Sequence, residues 1–319
     1  MHEFQLIKKY FSILSKKNKS SLNLNDDVFF DRSKKLVVSI DTYTQGVHFI
    51  DFKKPEFIIK KIIRSSISDL ICKGVKPKYY FISGSGNNKS FSSKNLKKIS
   101  NSLKQEQKKY GILLCGGDTV YSNKLSFTIT SIGFSKKIIY RNSAKLNDDI
   151  FVTGNLGDSY AGLRILKKKI NVSDKTKKYF INCYYHPNIN HKLSNKLLTF
   201  ANTSIDISDG LIADLEKLIN KQKLSYRLNL NNIPISNNLK RLLSEKKLNK
   251  LSFVSKGDDY QILFTANPSK IRIISKIAKS LSIKISKIGK ICSNSQKSQI
   301  IDQKGKETAF KHKGYYHKF

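Results

Sequence analysis

The sequence predicts an α/β (α+β) protein of two domains with mixed sheets packed by helices, and three observations carry that expectation. Its 319 residues, 39% hydrophobic and 10% aromatic, suffice for two cores of ordinary size. Helix-period and strand-like segments occur in both halves, with no repeat period and no long disordered tract. A polar run at 135–148, SKKIIYRNSAKLND, separates the halves, which places an N-terminal domain at 1–137 and a C-terminal domain at 138–319.

Phe4, Ile7, Tyr10, Phe11 and Leu14 have amphipathic-helix spacing, and the segment lacks the apolar stretch and cleavage site of a signal peptide. In KKLVVSIDTYTQGVHF, the β-rich stretch 36–40 with turn residues behind it puts Asp41 at the C-terminal end of a strand. Residues 55–77 carry helical periodicity and stop signals at Gly74 and Pro77. KYYFISGSG (78–86) reads as a strand into a loop, and NLKKISNSLKQEQKKYG as a helix ending near Gly111. ILLCGGDTV is a strand then a turn, and 124–134 is another strand. The second half opens with DIFVTGNLGDSYAGLRIL, a strand, a glycine turn and a helix start. A helical stretch with HPNIN follows, then the helix GLIADLEKLI, the segment RLNLNNIPI and a helix around 237–247. The flanks of FVSKGDDYQILFTA resemble paired strands, KIRIISKIAKSLSI a helix and ISKIGKI a strand.

The net charge is +37, and the excess is almost all Lys, 53 against 7 Arg, scattered along the whole chain. Surfaces that read bases use Arg forks and clustered aromatics; neither pattern is present, so no nucleic-acid function is expected. The lysines read as solvated surface that helps attract anionic substrates. No apolar run approaches the roughly 20 residues of a membrane span. Cys72, Cys115, Cys183 and Cys292 are far apart and form no CxxC pair, which suits a reduced cytoplasmic protein.

The 23 acids are more informative. Seventeen are Asp and six are Glu, although Glu is the better helix former. The Asp recur in short clusters beside apolar runs: NDD at 25–27, SIDT at 39–42, Ser68-Asp69, GGDT at 116–119, GDS at 157–159, IDISDGLIADL at 205–215 and GDD at 257–259. Such positions lie at element ends, where ligand-binding groups are carried. Mg²⁺ takes hard oxygen ligands and binds through a few carboxylates together with substrate phosphates. For one cluster alone, Asp209 or Ser208 as an N-cap of GLIADLEKLI is the simpler explanation. Recurrence through an acid-poor chain favours metal binding.

TGNLGD (153–158) sets Gly154 and Gly157 between a strand and a helix, where backbone N–H groups can cradle a phosphate. GGDT offers close backbone approach plus one carboxylate. No GxxxxGK[ST] loop and no kinase HRD or DFG set is present. His48 is a candidate substrate contact; His186 and His191 carry no metal-ligand spacing, and the cysteines lack a nucleophile pattern. The residues by themselves point to a cytoplasmic, metal-dependent enzyme acting on phosphates with bound nucleotide.

Taken in order, NDDVFF, SIDTYTQGVHF, ISDLICKGVKP, GGDT, YRNSAKLNDDIFVTGNLGDSYAGL, SIDISDGLIADL, GDDYQILFT and GYYHKF resemble the thiamine-monophosphate kinases. That family lies within the aminoimidazole ribonucleotide synthetase-like superfamily, whose two-domain architecture is thereby implied. The resemblance spans about residues 4–319, with DTYTQGVHF and GYYHKF the parts specific to the thiamine enzymes. It implies ATP- and Mg²⁺-dependent phosphorylation of thiamine monophosphate to thiamine diphosphate, and a homodimer formed through the N-terminal sheet. Several Mg²⁺ ions are implied, with Asp27, Ser39, Asp41, Asp69, Asp118 and Asp206 as ligands, Ile40 through its carbonyl, and Asp209 for an additional metal. Gly117, Asp118, Arg141 and Ser208 match nucleotide contacts; His48, Asp258 and Tyr315 match contacts to the thiamine substrate. No catalytic acid, base or nucleophile is implied.

The chain departs from the family pattern at Asn25 for Gly, Ile40 for Thr, and Asp258 for Glu, and YYHPNIN lacks the usual Arg. The alternatives are another ATP-dependent synthetase of the superfamily or a basic nucleic-acid-binding protein. A selenophosphate synthetase would need a reactive Cys near its start, and the first here is Cys72.

Overall fold

The computed structural model describes residues 3–302, 304–308, 314 and 315; residues 316–319 of GYYHKF lie outside the described residues. After α1 (Glu3–Leu6), the first sheet is built from β1 (Phe29–Asp31), β2 (Leu36–Thr44), β3 (Pro77–Gly86), β4 (Leu113–Tyr121) and β5 (Ser126–Phe134). Their spatial order is β1-β2-β5-β3-β4, antiparallel throughout except for the parallel pair β3 and β4. On β5, Phe127, Ile129, Ser131 and Gly133 alternate inward, as the two-residue period of a strand requires.

Two helices, α2 (Pro55–Cys72) and α3 (Ser93–Tyr110), back this sheet. Pro55 opens α2 where its missing N–H has no helical partner to lose. Ile58, Ile59, Ile62, Ile63, Ile67, Leu70 and Ile71 are all buried, and so are Lys61, Arg64, Ser65 and Ser68 on the remaining side, so α2 is enclosed on every side. It touches β2, β5 and α3 and also a strand of the second sheet. Gly111 ends α3 in the left-handed conformation at φ 65°, its N–H on the Gln107 carbonyl, as expected of a C-terminal glycine.

The second sheet comprises β6 (Asp149–Thr153), β7 (Thr203–Asp206), β8 (Leu224–Asn229), β9 (Ile262–Ala266), β10 (Ile285–Ser293) and β11 (Gln299–Ile301), in the order β11-β8-β10-β6-β9-β7. Strands β6, β7 and β9 are buried along their whole length. Around them lie α4 (Asp158–Leu166), α5 (Asp174–Tyr185), α6 (Ser194–Leu197), α7 (Leu211–Leu218), α8 (Asn237–Glu245), α9 (Lys250–Val254) and α10 (Ile271–Leu281). One apolar cluster runs from Ile129 and Ile62 through Tyr184 to Phe151 and Phe264, so the sheets share a core across α2. Among the described residues no helix is long and apolar enough to cross a membrane.

Several local expectations are corrected. Asp41 is not at a strand end, since β2 runs on to Thr44, and KYYFISGSG is strand throughout, since β3 runs to Gly86. From Ile7 to Phe11 the first helix is a wider π-turn, which moves the apolar positions off one stripe and leaves Tyr10, Phe11 and Leu14 exposed. GGDT is not a turn: β4 continues through it to Tyr121, with a bulge at Cys115, where β4 carries one residue more than β3 between Tyr80 and Phe81, and the glycine pair back in register. A Cβ on Gly117 would stand 1.7 Å from the Ile82 carbonyl oxygen, so this glycine is required by its own neighbouring strand. The first flank of FVSKGDDYQILFTA is helical: Asn249 caps α9 by accepting from Ser252 N–H, and Leu251, Phe253 and Val254 point into the core.

Candidate functional site

Carboxylates from three distant segments meet where the two sheets approach α2. Asp27 precedes β1, Asp69 lies in the last turn of α2, and Asp206 ends β7; each offers an oxygen within 4.8 Å of the others. Asp69 is held at a helix C-terminus, where the backbone dipole disfavours an anion. Burial, then the charges of Asp41 and Asp206, push it well above the ordinary carboxylate range. Burial, with a smaller contribution from Asp214, pushes Asp206 up to about 7, against a hydrogen bond from Ser68. Asp41, on β2, is pushed up to about 7 by burial, opposed by hydrogen bonds from Tyr43 and Ser66. Ser39 is buried with its hydroxyl donating to the Ser66 carbonyl at 3.4 Å, while the Ile40 side chain is 67% exposed.

Two cations enter this acidic cluster. The ammonium of Lys73 is sealed from solvent, 2.7 Å from Asp26 Oδ1 and 2.7 Å from Asp27 Oδ2, and it donates to the Ser204 carbonyl at 2.8 Å. Arg141 donates through its backbone N–H to Asp26 Oδ2 at 3.0 Å and through Nε to Asp27 Oδ2 at 3.2 Å. Its Nη2 also holds Asp27 Oδ1. Asn25, just ahead, has φ −124°, so no left-handed residue is needed there; the positive φ angles fall on Leu22, Asn23 and Leu24.

The IDISDGLIADL segment divides its acids by role. Asp214 is fully buried and accepts from the N–H groups of Asp209 at 2.9 Å and Gly210 at 3.0 Å. It therefore shapes the turn. Lys217 lies 2.8 Å from Asp214 and also pairs with Asp209. A Cβ on Gly210 would stand 2.4 Å from the Ser255 backbone, which fixes glycine at this crossing. The Ser208 carbonyl accepts from Asp258 N–H at 2.9 Å, and the Asp209 carbonyl from Tyr315 N–H at 3.0 Å. The 257–260 loop and the C-terminal segment are thus both stitched to the Asp209 turn.

The opposite end of the site is aromatic. Asp258 and Tyr260 both adopt positive φ, 62° and 49°, a strained conformation for residues with side chains that collects at functional sites. Asp258 Oδ1 lies 3.0 Å from the Lys61 ammonium and accepts from Tyr260 hydroxyl at 3.2 Å. Lys61 is 1% exposed and sits 3.5 Å over the Tyr184 ring; burial lowers its pKa, opposed by Asp258. The Tyr184 hydroxyl donates to the His48 carbonyl at 3.1 Å, and His48 Nδ1 accepts from Thr44 N–H at 3.0 Å. Burial first, then the charges of Asp209 and Asp258, raise the Tyr315 pKa.

Two expected contributors stand apart from this centre in the single chain. Strand register aligns Asp118 with Ser83, Thr128 and Thr42. It is therefore three strand spacings, about 14 Å, across the sheet from the β2 end, on the face opposite Asp41. Gly117 lies beside it on the same edge strand. The glycine turn TGNLGD is closed to phosphate: Asp259 Oδ2 already accepts from Gly157 N–H at 2.8 Å at the start of α4. A Cβ on Gly154 would stand 2.3 Å from Gln261 Oε1, so both glycines serve packing.

Lys61, Lys73, Tyr184 and Tyr260 were not singled out from the sequence. The available signal was the Lys60–Lys61 pair among the isoleucines of α2 and a lysine directly after the helix. Among 53 lysines neither position stands out.

Comparison with known proteins extends this picture to whole chains. Residues 25–135 match the family model described as AIR synthase related protein, N-terminal domain. The thiamine-monophosphate kinase of Buchnera aphidicola subsp. Acyrthosiphon pisum is 35% identical over 326 residues, covering 99% of this chain and 98% of that protein. The Haemophilus influenzae thiamine-monophosphate kinase is 31% identical, over 91% of this chain and 89% of its own length. Among solved structures, AaThiL complexed with AMPPCP and TMP is similar with a TM-score of 0.84 and 26% identity, covering 99% of this chain and 97% of that one.

Proposed function

The chain belongs to the thiamine-monophosphate kinase family, and we propose that it transfers the γ-phosphoryl group of ATP to thiamine monophosphate, giving thiamine diphosphate and ADP. The observation that carries this reading is the convergence of Asp27, Asp69 and Asp206 at the family's motif positions. An oxygen of the acceptor phosphate forms a bond to the γ-phosphorus as the bond to the β–γ bridging oxygen breaks. That acceptor oxygen is already ionised, so the protein's task is positioning and charge neutralisation, with no general base needed.

The donor set fits magnesium: hard oxygens, buried, close together and in excess of the nearby cations. Asp27, Ser39, Asp41, Asp69 and Asp206 would hold several ions with the Ile40 carbonyl, and Asp209 a further one. Bound there, Mg²⁺ supplies neutralisation of the phosphate oxygens. Arg141, whose Nε and Nη2 hold Asp27, would offer its remaining guanidinium N–H groups to a nucleotide phosphate, with Ser208 on the Asp209 turn as a further contact. His48, Asp258 and Tyr315 form the thiamine end, where the Tyr315 ring offers a stacking face.

Gly117 and Asp118 lie on β4, whose Leu113, Leu114, Val120 and Tyr121 are exposed. An open apolar edge supports a homodimer formed through the first sheet, and in that assembly these two residues join a metal–nucleotide site. The division into domains 1–137 and 138–319 would put one sheet in each, the second domain closing over the substrates. Four unpaired cysteines support a cytoplasmic location. The test is direct: protein, ATP, Mg²⁺ and thiamine monophosphate are incubated and thiamine diphosphate is sought by chromatography. Product that vanishes with EDTA supports the reading; ATP binding without product in the presence of Mg²⁺ overturns it.

A further inference from the structure

Two of the three residues at the thiamine end hang from one buried post. The Tyr184 hydroxyl reaches the His48 carbonyl at 3.1 Å, its ring carries the Lys61 ammonium at 3.5 Å, and that ammonium lies 3.0 Å from Asp258 Oδ1. Four segments converge here: the loop after β2, α5, α2 and the 257–260 loop. The 3.0 Å ion pair with Asp258 and the Tyr184 ring face hold the Lys61 ammonium. Tyr260 also donates to Oδ1, so both contacts fall on one oxygen and Oδ2 is left to a ligand. A carboxylate on a left-handed residue, one methylene shorter than the family's Glu, needs such external restraint to keep one orientation.

We propose that Lys61 is a positioning residue for thiamine monophosphate, acting through Asp258 to fix its carboxylate and through Tyr184 to fix the His48 loop. The inference rests on the reaction proposed above. Sealed beneath Asp258, Lys61 does not touch substrate. Its removal therefore weakens the thiamine end alone and leaves the nucleotide end intact.

The experiment measures KM for thiamine monophosphate and for ATP, together with kcat, in wild type, Lys61→Met, Asp258→Asn and the double variant. Wild type that makes no thiamine diphosphate removes the reaction reading itself. With active wild type, Lys61→Met is expected to raise KM for thiamine monophosphate about 10- to 100-fold, the range for losing a group that orients a ligand-binding residue. KM for ATP stays within about twofold of wild type, since Lys61 makes no contact at that end. In the Asp258→Asn background the same substitution adds less than its full effect, because one of its two targets is already gone. An unchanged KM for thiamine monophosphate, equal losses for both substrates, or a full additive loss in the double variant overturns the proposal. If Lys61→Met does not fold by its melting curve, Tyr184→Leu removes the ring beneath the ammonium. It must raise KM for thiamine monophosphate selectively for the proposal to stand.

Discussion

The two ends of the site solve the burial of charge in opposite ways. At the acidic end, Asp26, Asp27, Asp41, Asp69 and Asp206 outnumber the cations Lys73, Arg141 and Lys217 that act on them among the described residues, and burial drives Asp41, Asp69 and Asp206 toward the protonated form. At the aromatic end, proposed above to hold thiamine, one carboxylate, Asp258, meets one ammonium, Lys61, on an aromatic base. Surplus negative charge in a dry pocket calls for an added cation; a matched pair calls for none and can serve to hold shape. Both arrangements are carried in part by α2, which supplies Asp69 at one end and Lys61 two turns earlier at the other.

The sharpest way to break this contrast is to remove surplus charge. Asp41→Asn or Asp69→Asn is expected to lower thiamine diphosphate formation by roughly 1000-fold or more, the scale of losing transition-state charge stabilisation, while the melting temperature without metal holds or rises. Wild-type turnover in either variant would falsify the metal assignment. Removing a cation from the same end acts on stability instead. Lys73→Met leaves Asp26 and Asp27 short of a buried partner, a loss of about 3–5 kcal/mol that urea unfolding will register and that Mg²⁺ should partly restore. No change in the unfolding midpoint would mean that Arg141 alone suffices.

Acidity gives a third, smaller test. The folded pKa values of Asp41 and Asp206 are raised to about 7 from an unfolded value near 4. The folded state therefore binds protons more tightly, and the stability this contributes is present at low pH and lost as pH rises from about 4 through 7. In EDTA the melting temperature should fall between pH 5 and pH 8, and the increase on adding Mg²⁺ should be larger at pH 8. A metal effect independent of pH would separate these acids from the metal. At the thiamine end the effect is expected to be smallest: Tyr315→Ala should raise KM for thiamine monophosphate about 2- to 10-fold, the worth of one aromatic contact, with KM for ATP unchanged. Equal losses for both substrates would remove the stacking role.

Much of the acidic end was readable from residue order, because a reaction between phosphates requires hard oxygen ligands and Asp recurs in clusters through a chain otherwise poor in acids. The alternation on β5, the isoleucine-rich helix α2 and the glycine stop at Gly111 are local patterns, and local backbone and side-chain periodicity determined them. Other features depended on what crosses the chain at a distance. Strand pairing, which is non-local, carried β4 through the two glycines of GGDT and set Asp118 across the sheet from Asp41. The carboxylate that caps α4 in place of a phosphate comes from Asp259, about a hundred residues along the chain, and no spacing rule reaches that far. Likewise, a lysine becomes a structural cation only when burial removes its water, and burial is decided by packing. The sequence by itself determined which chemistry the residues can perform and most of the elements that carry them. Only the tertiary structure decided which charges are left uncompensated, because desolvation and pairing depend on neighbours brought together from distant parts of the chain.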